Sequence, residues 1–201
     1  MDTTRFAVTY DYRCPFARNG HEHVLAGLEA GANWEVTFLP FSLSQAHVPE
    51  GGTPVWDDPA KAKDLLAMAA GVVVRDRYPD RFPNVHLGLF AARHDRSADL
   101  RDIEVVRATL TQAGVPADEV LDEAVSGWPV EEMRKAHEAA VADYEVFGVP
   151  TYIVDDTAVF VRLMTRPEGD TKGSRTLIDK VLDRIVDEPV INEFKHTTLS
   201  R

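Results

Sequence analysis

Asp11-Tyr12-Arg13-Cys14-Pro15-Phe16-Ala17 marks the passage from a strand to a helix and carries the only cysteine of the chain. Upstream, Phe6 to Tyr10 is a short apolar run of the kind that forms a buried strand. Downstream, Pro15 fits the first helical position, where its missing N–H leaves no bond unmade. Ala17, His21, Val24, Leu25 and Leu28 then recur on one helical face, and Gly31 is a natural stop. This places Cys14 at the N-cap. A thiol there faces unpaired backbone N–H groups and the positive end of the helix dipole, and both favour the nucleophilic thiolate. Arg13 and Arg18 stand close in sequence and are expected to add positive potential. A lone cysteine is more often a small buried apolar residue; position at a helix start argues for the reactive reading.

Position 17 is the second point of interest. A two-thiol redox motif, C-x-x-C, needs a cysteine there, and the residue is alanine. Any mixed disulfide on Cys14 would therefore need an external thiol to release it. A two-thiol site whose second cysteine had been replaced would read in the same way.

Further along, Trp34 to Phe41 alternates like a strand, with Pro40 pointing to its end or to an edge. The opening is thus β-α-β, with a helix long enough to reach back to a parallel strand. Pro49 to Pro59 reads as a loop. From Pro59 to Trp128 the pattern is helical: Leu65 to Val73 forms one apolar group and Val85 to Phe90 opens another. Leu100, Ile103, Val106 and Leu110 form a stripe closed by Gly114 and Pro116, and Val120, Leu121 and Val125 mark a short helix. Pro129 and Glu131 open a longer one with Met133, Ala136, Ala140, Val141 and Tyr144 on one face. Thr151–Val154 and Ala158–Val161 read as strands about an Asp155-Asp156 turn. Ser174 is expected to cap a last helix carrying Leu177, Ile178, Val181, Leu182, Ile185 and Val186, ended by Pro189.

The order β-α-β, helical region, α-β-β-α, with a thiol at the first strand-to-helix junction and Gly148-Val149-Pro150-Thr151 before the third strand, resembles the thioredoxin fold. With its helical insertion it looks like the DsbA-like family, an α/β class. That family includes 2-hydroxychromene-2-carboxylate isomerases, kappa-class glutathione transferases and, more loosely similar over 166–197, mycothiol-dependent reductases. The resemblance implies a thioredoxin-like portion over 1–48 and 129–188, a helical insertion over 49–128, and a C-terminal tail over 189–201. It implies that Cys14 is the nucleophile, with backbone N–H groups at 16 and 17 favouring its thiolate. It also implies a cis Val149–Pro150 bond, and binding roles for Pro15, Phe16, Ala17, Val149, Pro150 and Thr151. Val149 would pair with an extended substrate or thiol through its main chain.

Three functions follow. The leading one is single-thiol disulfide exchange with glutathione or mycothiol as co-substrate and no tightly bound cofactor. The others are glutathione- or mycothiol-dependent isomerase or transferase chemistry, and a redox-inactive binding protein. Two departures stand out: Asp156 replaces the glycine of the common turn, and Val161 stands where many relatives have glycine, altering the pocket at that strand end.

Other features are read plainly. His21 is about 10 Å along the helix from Cys14, at 1.5 Å per residue, too far for direct proton transfer, and reads as a satisfied core or rim histidine. His21 and His23 point to different faces, and no metal motif exists. Gly169 to Ser174 lacks the order of a phosphate loop and reads as a solvated loop. Phe16 and Trp56 are candidates to line an apolar cleft, with a core role as the alternative for Trp56. Arg75-Asp76-Arg77 reads as a solvated face. The formal charge of −11 disfavours nucleic acid and anionic membranes. No apolar run is long enough to span a bilayer, and Met1 to Arg5 lacks a signal-peptide pattern, so a cytoplasmic location is expected. The oligomeric state is left open.

Overall fold

The computed structural model describes residues 3–193, 195 and 196. The expected C-terminal tail over 189–201 therefore lies in part outside the described residues, as do Met1 and Asp2. Among the described residues four strands make one sheet in the order β2-β1-β3-β4: β1 (Thr4–Tyr10), β2 (Trp34–Pro40), β3 (Thr151–Val154) and β4 (Thr157–Phe160). β2 lies parallel to β1, β3 antiparallel to β1, and β4 antiparallel to β3. Pro40 closes β2 at the sheet edge, so its missing N–H interrupts no inner ladder.

α1 (Pro15–Glu29) is the crossover between β1 and β2 and packs closely on α8 (Thr171–Asp187). α7 (Trp128–Tyr144) packs against β2. Between β2 and α7 run α2 (Leu43–Ala46), α3 (Ala62–Arg77), α4 (Phe82–His94), α5 (Ile103–Gln112) and α6 (Ala117–Ala124). α3 is apolar on all sides, burying every residue from Leu65 to Val74, as expected of a helix at the centre of a packed group. It touches α4, α5, α6 and α7, and α4 in turn packs on α1. The buried side chains of sheet and helical region form one continuous core.

The structure departs from the sequence reading in several places. The stretch before Pro49 holds the short helix α2, whose start Ser42 caps by accepting from Gln45 N at 3.2 Å. Ile103, Val125, Val141 and Val186 are exposed, although each was placed on a buried stripe. Ile103 and Val125 sit at or beyond helix ends, where the neighbouring helix no longer covers them. On α7 Met133 and Ala140 are buried as expected, and His137 joins them with its ring centroid 4.1 Å from that of Phe41, so the inward face is rotated away from Ala136 and Val141. α8 is capped by Asp170, accepting from Gly173 N at 2.8 Å. The helix thus begins earlier than a Ser174 cap implies, and Ser174 faces inward to hydrogen-bond with His23 Nδ1 at 2.9 Å. Arg75 is half-buried and donates to the Phe38 carbonyl at 3.2 Å, so that end of the charged run is not a solvated face.

Candidate active site

The loop ahead of α1 is built by Asp11, which is 1% exposed. Its Oδ1 accepts from Arg13 N at 2.9 Å and its Oδ2 from Leu43 N at 2.9 Å. The carboxylate also takes the Arg13 guanidinium, through Nη2 at 2.7 Å. One buried acid thus closes the turn and ties it to the start of α2, while Cys14 N donates to the Asp11 carbonyl at 3.0 Å. The chain leaves this turn with Cys14 as N-cap and Pro15 in the first turn of α1.

Cys14 Sγ accepts from Ala17 N at 3.4 Å and donates to the Val149 carbonyl at 3.3 Å. The two halves of the site, 135 residues apart, meet at this sulfur. The Val149–Pro150 peptide bond is cis. Ala17 is fully buried beneath the cysteine.

Thr9 holds the Pro150 loop in place. Its hydroxyl accepts from Thr151 N at 2.8 Å and donates to the Gly148 carbonyl at 3.5 Å, while Thr151 Oγ1 donates to that carbonyl at 2.8 Å. On the helix side, a Cβ at Gly20 would lie 2.9 Å from the Tyr152 hydroxyl and 3.3 Å from Pro150 Cγ, so glycine is what lets α1 approach the loop.

The electrostatics differ from the expectation for a helix start. Burial pushes the Cys14 thiol up, outweighing the lowering by the amides of Ala17 and Phe16. Asp11 raises it further, and the arginine that lowers it is Arg162. Arg13 is spent on Asp11. Arg18 is 5% exposed and bound to Glu22 at 2.8 Å and Asp95 at 2.6 Å. Both cations expected to favour the thiolate are thus matched by carboxylates, two of them sequence neighbours and the third, Asp95, brought in by the fold.

Of the sequence-predicted residues, Cys14, Ala17, Val149, Pro150 and Thr151 come together. Phe16 lies half-buried with the Arg162 guanidinium 5.3 Å from its ring centroid, and Pro15 is exposed at the helix start. Trp56 packs edge-on to His137, 5.5 Å between ring centroids, on the α7 side. Thr9, Asp11 and Arg162 were not singled out by sequence reading. Asp11, two residues before an arginine at a turn, carried the usual signal of an Asx turn; Thr9 and Arg162 carried none. A cavity of about 730 Å³ opens beside Arg13, lined by Leu43, Ser44, His47 and Val55 among others.

Beneath the site runs a buried chain of donors and acceptors. The Tyr12 hydroxyl donates to His86 Nδ1 at 3.0 Å, His86 Nε2 to His21 Nδ1 at 2.9 Å, and His21 Nε2 to the Thr9 carbonyl at 3.0 Å. That direction of donation keeps both imidazoles neutral, each with one N–H. Burial agrees: it lowers His21 to about 4 and His86 well below its ordinary value. His23 instead points to Ser174 and the Thr165 carbonyl, so the two α1 histidines do face different ways. Among the described residues there is no histidine, cysteine and carboxylate group fit for a metal.

The sequence profile of the DSBA-like thioredoxin domain matches residues 7–165, which span both halves of this site. The chain belongs to that family. Its structure is similar to MdbA, a thiol-disulfide oxidoreductase from Actinomyces oris (15% identity, TM-score 0.60, covering 96% of this chain and 83% of that one). It is also similar to the oxidoreductase NmDsbA1 from Neisseria meningitidis (14%, 0.59, 94% and 86%) and to a variant of Pseudomonas aeruginosa DsbA (22%, 0.57, 90% and 88%). At these identities the likeness is one of fold. No curated protein sequence matches this DsbA-like chain significantly. Among its described residues no helix is long and apolar enough to cross a membrane.

Proposed function

We propose that this DsbA-like protein is a single-cysteine thiol–disulfide exchange enzyme working with an external low-molecular-weight thiol. The observation that carries this reading is the placement of Cys14 Sγ between the Ala17 amide and the Val149 carbonyl, with alanine where a second thiol would stand. Cys14 gives its proton to solvent and its sulfur attacks one sulfur of a disulfide RS–SR′. A Cys14–S–S–R bond forms as RS–SR′ breaks, and R′S⁻ leaves and takes up a proton. A second thiol then attacks the mixed disulfide, returning Cys14 and carrying RS away as a new disulfide. Glutathione and mycothiol are the candidate thiols. The main chain of Val149 is the docking edge for an extended substrate. A substrate hydrogen-bonded to the Val149 carbonyl would take it from the thiol, removing one partner that stabilises the protonated sulfur. We place this activity in the cytoplasm, where such thiols are abundant.

The test is intact mass after incubation with oxidised glutathione or mycothiol disulfide. A single adduct at Cys14, reversed by the reduced thiol and absent in Cys14→Ser, supports exchange. Failure of the native chain to form an adduct that the urea-unfolded chain does form would leave the redox-inactive binding role.

The raised Cys14 pKa favours a second reading. A cysteine held protonated can donate to the sulfur of a bound thiol cofactor, a role serine also fills. Isomerase or transferase activity that survives in Cys14→Ser supports it.

A further inference from the structure

Arg162 follows β4 and projects its guanidinium over two aromatic rings, 5.3 Å from the Phe16 centroid and 5.9 Å from that of Phe160. Phe16 is two residues after Cys14 in the first turn of α1, and the charge is near enough to lower the thiol pKa slightly. The rings hold the guanidinium as a cation over their negative faces. Among the described residues no carboxylate forms a salt bridge with it, Glu193 being the acid near enough to feel its charge, whereas Arg13 and Arg18 are both saturated by Asp11, Glu22 and Asp95. In a chain of net charge −11, a guanidinium near the thiol that, among the described residues, has no salt bridge is a selective feature. Its fork of N–H donors is shaped for a planar anion.

We infer that Arg162, clamped over Phe16 and Phe160, binds a carboxylate on the small molecule that reacts at Cys14. The substrate class is then a thiol or disulfide bearing a carboxylate within reach of its sulfur, in preference to an uncharged, sugar-type thiol. This rests on the exchange reading of Cys14 and names its substrate class. Phe16 and Phe160 set the position of the guanidinium, and Arg162 sets the charge preference of the site.

The test separates the two. Rates of Cys14 modification are measured on the full chain with three symmetric disulfides of similar size: 3,3′-dithiodipropionate (anionic), hydroxyethyl disulfide (neutral) and cystamine (cationic). The same chain is alkylated with iodoacetate and with iodoacetamide, whose reaction needs no disulfide exchange. Arg162 also lowers the thiol pKa, which alters both alkylation rates alike, so their ratio reports the carboxylate interaction alone. In the wild type the anionic-to-neutral rate ratio is expected to exceed that of Arg162→Met by about fivefold for both reagent families, with Arg162→Lys between. Added salt should reduce the difference. Equal ratios in wild type and Arg162→Met overturn the inference. If no disulfide reacts with native Cys14, the exchange reading falls, and the iodoacetate-to-iodoacetamide ratio still decides the role of Arg162.

Discussion

The Cys14 thiol donates a 3.3 Å hydrogen bond to the carbonyl oxygen of Val149. A donor must be protonated, so this contact and the burial of the sulfur act in the same direction. Opposing them are the helix N-terminal amides of Ala17 and Phe16 and the charge of Arg162. Burial is the largest of these effects, so the resting state is the thiol.

Alkylation of Cys14 by iodoacetamide is therefore expected to rise with pH along a curve whose midpoint lies above that of the same cysteine in urea-unfolded chain. The measurement is intact mass against time at a series of pH values. A midpoint below the unfolded one would show that the amides and Arg162 outweigh burial.

Ala17→Cys places a thiol one helical turn below Cys14. Mild oxidation of that variant is expected to remove both free thiols with a loss of two hydrogens, whereas the wild type keeps its single thiol or acquires an external adduct. Thiol titration with intact mass distinguishes these outcomes. Retention of two free thiols would mean that position 17 is too deeply buried to meet the sulfur.

Thr9→Val deletes the hydroxyl that accepts from Thr151 N, leaving that buried N–H unpaired, while the Gly148 carbonyl keeps the Thr151 hydroxyl. The expected loss is about 1–3 kcal/mol in urea unfolding, largely recovered in Thr9→Ser. An unchanged urea midpoint would mean that the loop is held by packing alone.

Gly20→Ala brings a methyl against the Tyr152 hydroxyl and Pro150. Tyr152 is fully buried and cannot swing away, so the helix or the loop must move. Overpacking of this kind costs about 1–3 kcal/mol, and a slower Cys14 modification rate should accompany it if the loop is what moves. Thermal unfolding and alkylation of the same variant check both parts.

Acid should weaken the fold before the carboxylates titrate. His21 and His137 are held to about 4 by burial, and His86 lies well below its ordinary value. Between about 6.5 and 4 the unfolded chain binds protons that the folded chain refuses, so stability is full above 6.5 and falls as pH drops. Each histidine contributes up to about 1.4 kcal/mol per pH unit in that window. Urea midpoints at pH 7, 6 and 5 are expected to decline in turn; a flat series would mean that the neutral Tyr12–His86–His21 chain accepts a proton without opening.

The parts of the fold legible in sequence are those set by near neighbours. Pro15 after a capping residue, the α1 stripe and the Asp155-Asp156 turn each depend on a few adjacent residues, and the structure has α1 at Pro15–Glu29 and the hairpin at Thr151–Phe160. Where the inward face was misjudged, as at Val141 and His137 on α7, the orientation was set by Phe41 and Trp56, about ninety residues away in the chain.

By itself, then, the sequence determined that one thiol begins one helix, that Ala17 excludes an internal partner for it, and that the chain alternates strand and helix in a thioredoxin-like order. These follow from residue identity and local hydrogen bonding. Only the tertiary structure decided the state of that thiol. The burial of Cys14, its bond to the Val149 carbonyl and the charge of Arg162 come from distant parts of the chain, and Arg18 is held by Asp95, 77 residues on, as well as by its neighbour Glu22. Electrostatic effects depend on distance through space and on exclusion of water, and neither can be read from separation along the chain.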